Sequence, residues 1–525
     1  MKISGIYDIS TKKNSILSCE AYYYRDTDIE VVLLHNNHKN FIDDFVNNYK
    51  RVGVQCVNNL NEMFLAVVCD ERNGEIHIFS DITTSQWNMY YVYHDNKIYY
   101  STSMKELLII SNIDRRMNIR AAKAFIANGY VFGEETLIHA VYKLKFGCEI
   151  TTKNGLVIQA KYSYELDIIP TRKAKKELLS VMRESIVNCI EEDGDIFMPL
   201  SGGYDSNFIL DTVRINTNRK INAYTIGSDT GKSEIDTVKK NIKYLSNIEH
   251  HIEYVDTTYF EYIADIVWRL DGCVFESGVF LQYALAKSAS MSGAKYMLCG
   301  EGSDEVQSMY YYESLSRVLR IGVDDNENIY IYSDPFIGTN MLILKKSSIM
   351  LDSFGIKGKY PFKTKKIEEV SNGVARLNKT NKKYYKRLLS NELNPNILSN
   401  LKTTGGTTKL SSAINAEQIA SLKKYLSQAE IIKIIDNEED MVFTTNRTKK
   451  LRTKQSMERA YREIREYGVK RGIMKIKSMG RHGDSMTVIK KAYLAIFFEL
   501  FISGKYDMFF DGDSVPLTTS QILGL

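Results

Sequence analysis

The 525-residue chain contains no run of about 18 consecutive apolar residues, the length a helix needs to cross a bilayer, so no membrane span is expected. Its opening, Met1 to Ser4, lacks the apolar core and small-residue cleavage site of a secretory signal, and a cytoplasmic location is the expectation. Cysteine is sparse. The seven residues, Cys19, Cys56, Cys69, Cys148, Cys189, Cys273 and Cys299, form no CxxC pair, which argues against a disulfide framework or a zinc site and for reduced core thiols. An excess of charge is also missing: 69 Lys and Arg against 64 Asp and Glu leave +5, too little over this length to imply a nucleic-acid partner. What remains, 44% hydrophobic and 25% charged, is ordinary for a soluble globular protein with two or more domains.

One stretch organises the rest. Ile196 to Pro199 is an apolar run that suits a short buried parallel strand; it stops at Leu200, Ser201, Gly202, Gly203, Tyr204, Asp205 and Ser206. Phe208, Ile209, Leu210 and Val213 follow at helical spacing. At a strand–loop–helix junction the unpaired backbone N–H groups face the loop, and glycines let phosphate oxygens come close. Ser201 and Ser206 add hydroxyl donors. Asp205 would repel a phosphate unless a divalent cation stood between them, which makes it a candidate magnesium ligand.

A second string, Leu298, Cys299, Gly300, Glu301, Gly302, Ser303, Asp304 and Glu305, follows Tyr296 and Met297. Two strand ends of one parallel sheet, each presenting an aspartate, could share metal ions across a triphosphate, pairing Asp205 with Asp304. The two strings resemble the pyrophosphatase loop and second acidic loop of the asparagine synthetase superfamily, which includes β-lactam synthetases and lasso-peptide cyclases. The resemblance implies activation of a carboxylate by ATP to an acyl-adenylate, followed by attack of an amine. It also implies an adenine site around Leu200, Ile226, Cys299 and Gly300. Glu301 falls where the family places a residue tied to intermediate formation or amine deprotonation, or where a carboxylate is merely structural.

Upstream, β-like runs at Ile29 to Leu34, Phe64 to Cys69, Ile76 to Phe79, Met89 to Tyr93 and Lys97 to Tyr100 are separated by turns such as Asn73-Gly74 and Asp95-Asn96. They predict an antiparallel sheet domain. Met63 to Ala66, Tyr90-Tyr91, Met104 to Leu108, Asn128 to Tyr130 and Val141 to Leu144 are similar to the family's glutaminase domain. That domain works through an N-terminal cysteine whose α-amine is the base. Here the matching string is Ser4-Gly5-Ile6, an internal serine whose backbone amide cannot take a proton. The segments that hold glutamine in the family are absent between Ile6 and Asn59, so no glutamine hydrolysis is expected.

Near Pro170 the pattern turns helical, with Leu178, Leu179, Met182, Ile186, Val187 and Ile190 on one face. The expected domains are a degenerate glutaminase-like unit over 1–165 and an ATP-binding synthetase unit over 170–525. The fold class is therefore α/β plus α+β: an Ntn-hydrolase-like antiparallel domain, then a parallel-sheet ATP-pyrophosphatase domain with a helical C-terminal part. Ala223 to Gly227 and Ile248 to Val255 read as further parallel strands, on which His250 and His251 point to opposite faces and cannot chelate one metal. Asp271 and Glu276 resemble an Asp-x-Pro-x-x-Asp element, with Cys273 in place of the proline. Lys402, before Gly405-Gly406, resembles the lysine that neutralises departing phosphate, a task suited to an ammonium. The basic segment Arg447 to Arg481 reads as a solvated helix face, and Val488 to Ile502 as a buried helix too short and too charged to span a membrane.

The sequence thus predicts an AMP-forming amide ligase using ATP and Mg2+, with Lys402 and Glu301 as catalytic residues. Substrates would be a small-molecule or peptide carboxylate and amine, as in a lactam or lasso-peptide former with a precursor peptide and protease as partners. The alternatives are an ammonia-dependent asparagine synthetase and a non-catalytic ATP-fold binding protein.

Overall fold

The computed structural model describes residues 2–525 apart from 36–40, 61–62, 82–85, 132, 146, 154–155, 162–166, 168, 229–233, 277, 308–319, 324–328, 333–342, 375–376, 378–381, 399–409 and 438–484. Lys402, Tyr310 to Tyr312 and the basic segment 447–481 lie outside the described residues.

The N-terminal half is built from two antiparallel sheets. One has the order β2 (Lys13–Cys19), β1 (Ile3–Asp8), β8 (Lys97–Ser101), β7 (Tyr90–His94), β9 (Tyr142–Lys143). The other runs β11 (Leu156–Lys161), β10 (Cys148–Lys153), β6 (Glu75–Ser80), β5 (Phe64–Asp70), β4 (Ile29–His35), β3 (Tyr22–Arg25). Alternation along each strand decides which layer a side chain joins. Val32, Leu34, Leu65, Val67, Ile78, Ile98 and Tyr100 meet between the sheets. Val31, Leu33, Ala66 and Val68 face the opposite way, onto helix α1 (Phe41–Val52). Tyr90, Val92 and Tyr99 of the first sheet pack on helices α2 (Met104–Ser111) and α3 (Ile119–Asn128). The expected antiparallel domain is thus a helix–sheet–sheet–helix sandwich, and every residue of β5 is buried because both its faces are covered. The hairpin joining β7 to β8 turns at Asp95 and Asn96, both in the left-handed region with φ of 51° and 56°, the conformation a two-residue hairpin turn needs.

Helix α4 (Thr171–Asn188) opens the second half, with Ala174, Leu178, Met182 and Ile186 buried one turn apart. Val187, expected on that face, is 37% exposed; it lies one residue past Ile186, about 100° further round the helix. A parallel sheet follows in the order β12 (Ile196–Pro199), β13 (Ile221–Ser228), β14 (Ile248–Val255). Strand β15 (Tyr296–Leu298) runs alongside β12 but pairs in parallel with Lys357–Lys359 as a separate two-stranded sheet. The expectation of one continuous sheet is corrected here, and Pro199 supplies a reason. Ile196 and Leu200 donate toward β13, so by alternation Phe197 and Pro199 face β15, and proline has no N–H to donate.

The halves are pinned together. Asp271, in a left-handed turn at φ 48°, accepts Lys105 Nζ at 2.6 Å and the Met104 backbone N–H at 3.0 Å. Lys105 also donates to the Trp268 carbonyl at 2.8 Å. Gln86 and Trp87 exchange hydrogen bonds with Gly358, Lys345 and Ser348. Among the described residues no helix is long and apolar enough to cross a membrane.

Candidate active site

Strand β12 delivers the first loop and helix α5 (Tyr204–Asn216) leaves it, with Gly203 at its N-cap. The loop is braced from within. Ser206 Oγ accepts the Ser201 N–H at 3.1 Å and lies 3.0 Å from Ser201 Oγ, while Gly203 N–H donates to Ser201 Oγ at 3.2 Å. Asn207, fully buried, donates its side-chain amide to the carbonyls of Ser201 (2.9 Å) and Gly203 (2.7 Å). Both carbonyls are thereby occupied by Asn207, at a helix start whose first-turn N–H groups favour an anion. Leu200, buried, donates to the Tyr224 carbonyl at 2.7 Å and accepts Thr225 Oγ1 at 2.7 Å, fixing the exit from β12. Ile226, partly buried, lies one residue further along β13.

The second loop meets the first. Cys299 is fully buried and its N–H donates to the Lys359 carbonyl at 2.8 Å, so only its main chain could border a ligand. A Cβ placed on Gly300 would lie 3.8 Å from Asp205 Cβ and 3.9 Å from the Ser206 nitrogen, which puts the loops in van der Waals contact. Gly302 adopts φ +91° where a side chain would strike Lys363, and this left-handed residue turns the chain into the short helix Ser303–Val306.

Asp205 and Asp304, predicted as a pair, converge on one ammonium. Lys382 Nζ stands 2.9 and 2.7 Å from the two oxygens of Asp205 and 2.5 Å from Asp304 Oδ1. Ser303 Oγ donates to Asp205 Oδ1 at 2.5 Å and lies 3.4 Å from the same ammonium. Lys382 is 2% exposed while the side chains of Asp205 and Asp304 are 25% and 39% exposed. The carboxylates open outward and the cation backs them. Burial opposes the Lys382 charge, but the two carboxylates override it and hold its pKa above the ordinary lysine range. Tyr385, fully buried, lies beside it, with Nζ 5.5 Å from the ring centroid.

Glu301 points elsewhere. It accepts Ser347 Oγ at 3.3 Å, and Ser347 accepts the hydroxyl of buried Tyr360 at 3.0 Å. Burial of its carboxyl raises its pKa. The other groups singled out in the sequence have partners within the fold. His250 bonds Thr225 Oγ1 at 2.8 Å and His251 bonds Asn222 at 3.0 Å; Asp271 joins the two halves, and Glu276 pairs with Lys346.

Does the pair suit magnesium? The bound ammonium shows that these oxygens can surround a cation. Among the described residues no group of three or more His, Cys, Asp or Glu could hold a metal, so an ion here would draw further oxygens from phosphate, as magnesium commonly does.

Three participants escaped the sequence reading. Asn207 and Ser303 sit inside or beside the two motifs and could have been found there. Lys382 lies 177 residues from Asp205, in a lysine-rich stretch that carries no motif.

Residues 177–324 match the asparagine synthase family model, and residues 22–163 match the glutamine amidotransferase domain model. The second match begins downstream of Ser4. The chain is 24% identical over 276 residues to a putative glutamine-hydrolysing asparagine synthetase of Methanocaldococcus jannaschii, covering 50% of this chain and 52% of that protein. It is 24% identical over 313 residues to a glutamine-hydrolysing asparagine synthetase of Bacillus subtilis, covering 57% and 46%. Asparagine synthetase B of Escherichia coli is 19% identical over 342 residues, covering 62% and 55%. The chain spans about half the length of these curated relatives.

Proposed function

Because the chain belongs to the asparagine synthetase superfamily, we propose that it is an ATP-dependent, AMP-forming ligase that joins a carboxylate to an amine. The observation that carries this reading is the convergence of Asp205 and Asp304, from two loops, beside a braced serine–glycine loop at a helix start. Asp205 and Asp304 would hold magnesium, which when bound supplies charge neutralisation for the triphosphate. The Ser201 to Ser206 loop binds and orients the phosphates, and the main chain at Leu200, Ile226, Cys299 and Gly300 borders the adenine. Glu301 holds or releases a proton at its carboxyl during amide formation, with Ser347 orienting it. Lys402 offsets charge on the departing pyrophosphate.

The amine in this reading comes with the substrate and not from glutamine. Ser4 lies within β1, paired to both β2 and β8, and this supports a front half without a working nucleophile. A lactam or macrolactam former fits, with a precursor peptide and its protease as partners. Incubation with ATP, magnesium and candidate acids should give exchange of labelled pyrophosphate into ATP. Absence of exchange with every amino acid and peptide carboxylate tried would count against adenylation.

A second reading, asparagine formation, is favoured by the names of the relatives. Aspartate with saturating ammonia would then yield asparagine, and glutamine would replace ammonia only if the front half hydrolyses it.

A further inference from the structure

We propose that Lys382 is a resident counter-cation that keeps the aspartate pair from taking a free divalent ion, so that metal enters only with a nucleotide. This rests on the reading of Asp205 and Asp304 as the metal pair and goes beyond it.

The argument begins with charge. Two carboxylates brought together without a cation would repel each other. The Lys382 ammonium prevents this by contacting three carboxylate oxygens, at 2.5, 2.7 and 2.9 Å. Asp205 is the more fully occupied: Oδ1 also accepts Ser303 Oγ and Oδ2 takes the shorter of its two Lys382 contacts. The cluster therefore carries −1 and not −2, and an incoming divalent ion meets oxygens already in use.

The lysine is built to stay. It is 2% exposed, and its backbone takes a left-handed conformation, φ +57° and ψ +33°, immediately before helix Lys383–Leu389. A non-glycine residue holds that conformation at some cost. Tyr385, one turn into the helix, packs against the ammonium. Lysine therefore approaches from behind, and the outward carboxylate edges remain for a metal whose other ligands arrive on a nucleotide.

The test is Mn2+ binding, followed by electron paramagnetic resonance, without nucleotide and with a non-hydrolysable ATP analogue. The wild-type chain should bind Mn2+ at the pair only with the analogue. Lys382→Met should bind it without nucleotide at least about tenfold more tightly, and Lys382→Arg, which keeps the charge, should behave as wild type. Equal nucleotide-free affinity in wild type and Lys382→Met overturns the counter-cation and leaves the metal pair standing. Failure of wild type and Lys382→Met to bind Mn2+ even with the analogue overturns the metal pair itself. Should Lys382→Met not fold, wild-type crystals soaked in Mn2+ decide: an anomalous peak between Asp205 and Asp304 without nucleotide overturns the proposal, and a peak there only with the analogue supports it.

Discussion

Ser4 Oγ donates a 2.6 Å hydrogen bond to Glu106 Oε1 across the start of helix α2, and Ser101 Oγ reaches the other oxygen of that carboxylate at 3.1 Å. Both serines are fully buried. The hydroxyl that the sequence reading places at the nucleophile position is thus spent on holding helix α2 against the sheet. Ser4→Ala should lower stability by about 1–3 kcal/mol, the cost of an unmet buried acceptor, and leave ligation with a supplied amine unchanged. Glutamate release by the wild type that disappears in this variant would show that the front half is a working glutaminase.

Asp205→Asn keeps the shape of the side chain and removes a charge from the pair. Pyrophosphate exchange should fall by about a thousandfold or more, on the order of several kcal/mol of barrier, since a metal ligand belongs to the charge-stabilising set. Circular dichroism should remain native-like in the same preparation. Exchange retained at near wild-type rate would make the aspartates structural.

In the proposed reaction Lys402 offsets charge that develops in the transition state. Lys402→Met should then change ATP affinity by less than about threefold, under about 1 kcal/mol, while product formation falls about a hundredfold. An equal loss in both would mark a ground-state phosphate clamp.

The sandwich was legible where strands were apolar and bounded by turn residues. β4, β5, β6 and β8 all read correctly because covered faces force continuous hydrophobic runs. β2 was not, since its residues alternate between exposed and half-buried at the rim of a sheet, a pattern that polar loops share. The two acidic loops were readable because each is a contiguous turn of small and charged residues directly after an apolar strand. Lys382 was not, because a single ammonium reaches the pair from a distant segment and one lysine resembles another in sequence. The break in the parallel sheet depends on which neighbouring strand the donor-less nitrogen of Pro199 faces, which composition does not encode.

Lys345 gives a pH signature that depends on folding alone. Its ammonium is buried and donates to the Trp87 carbonyl at 2.5 Å, and burial pulls its pKa down to about 7. In the unfolded chain the same amine titrates near its ordinary value of about 10.4. Between these values the unfolded state holds the extra proton, so stability attributable to this residue rises with pH across that window and the full penalty applies below about 7. Lys345→Met, similar in length and uncharged, removes the penalty but also the hydrogen bond to Trp87. The difference in Tm between variant and wild type should therefore shift in the variant's favour as pH falls from 9 to 6, by an amount on the order of a few kcal/mol in unfolding free energy. A difference that stays constant over this range would mean that Lys345 keeps its proton in the folded chain, through partners strong enough to offset its burial.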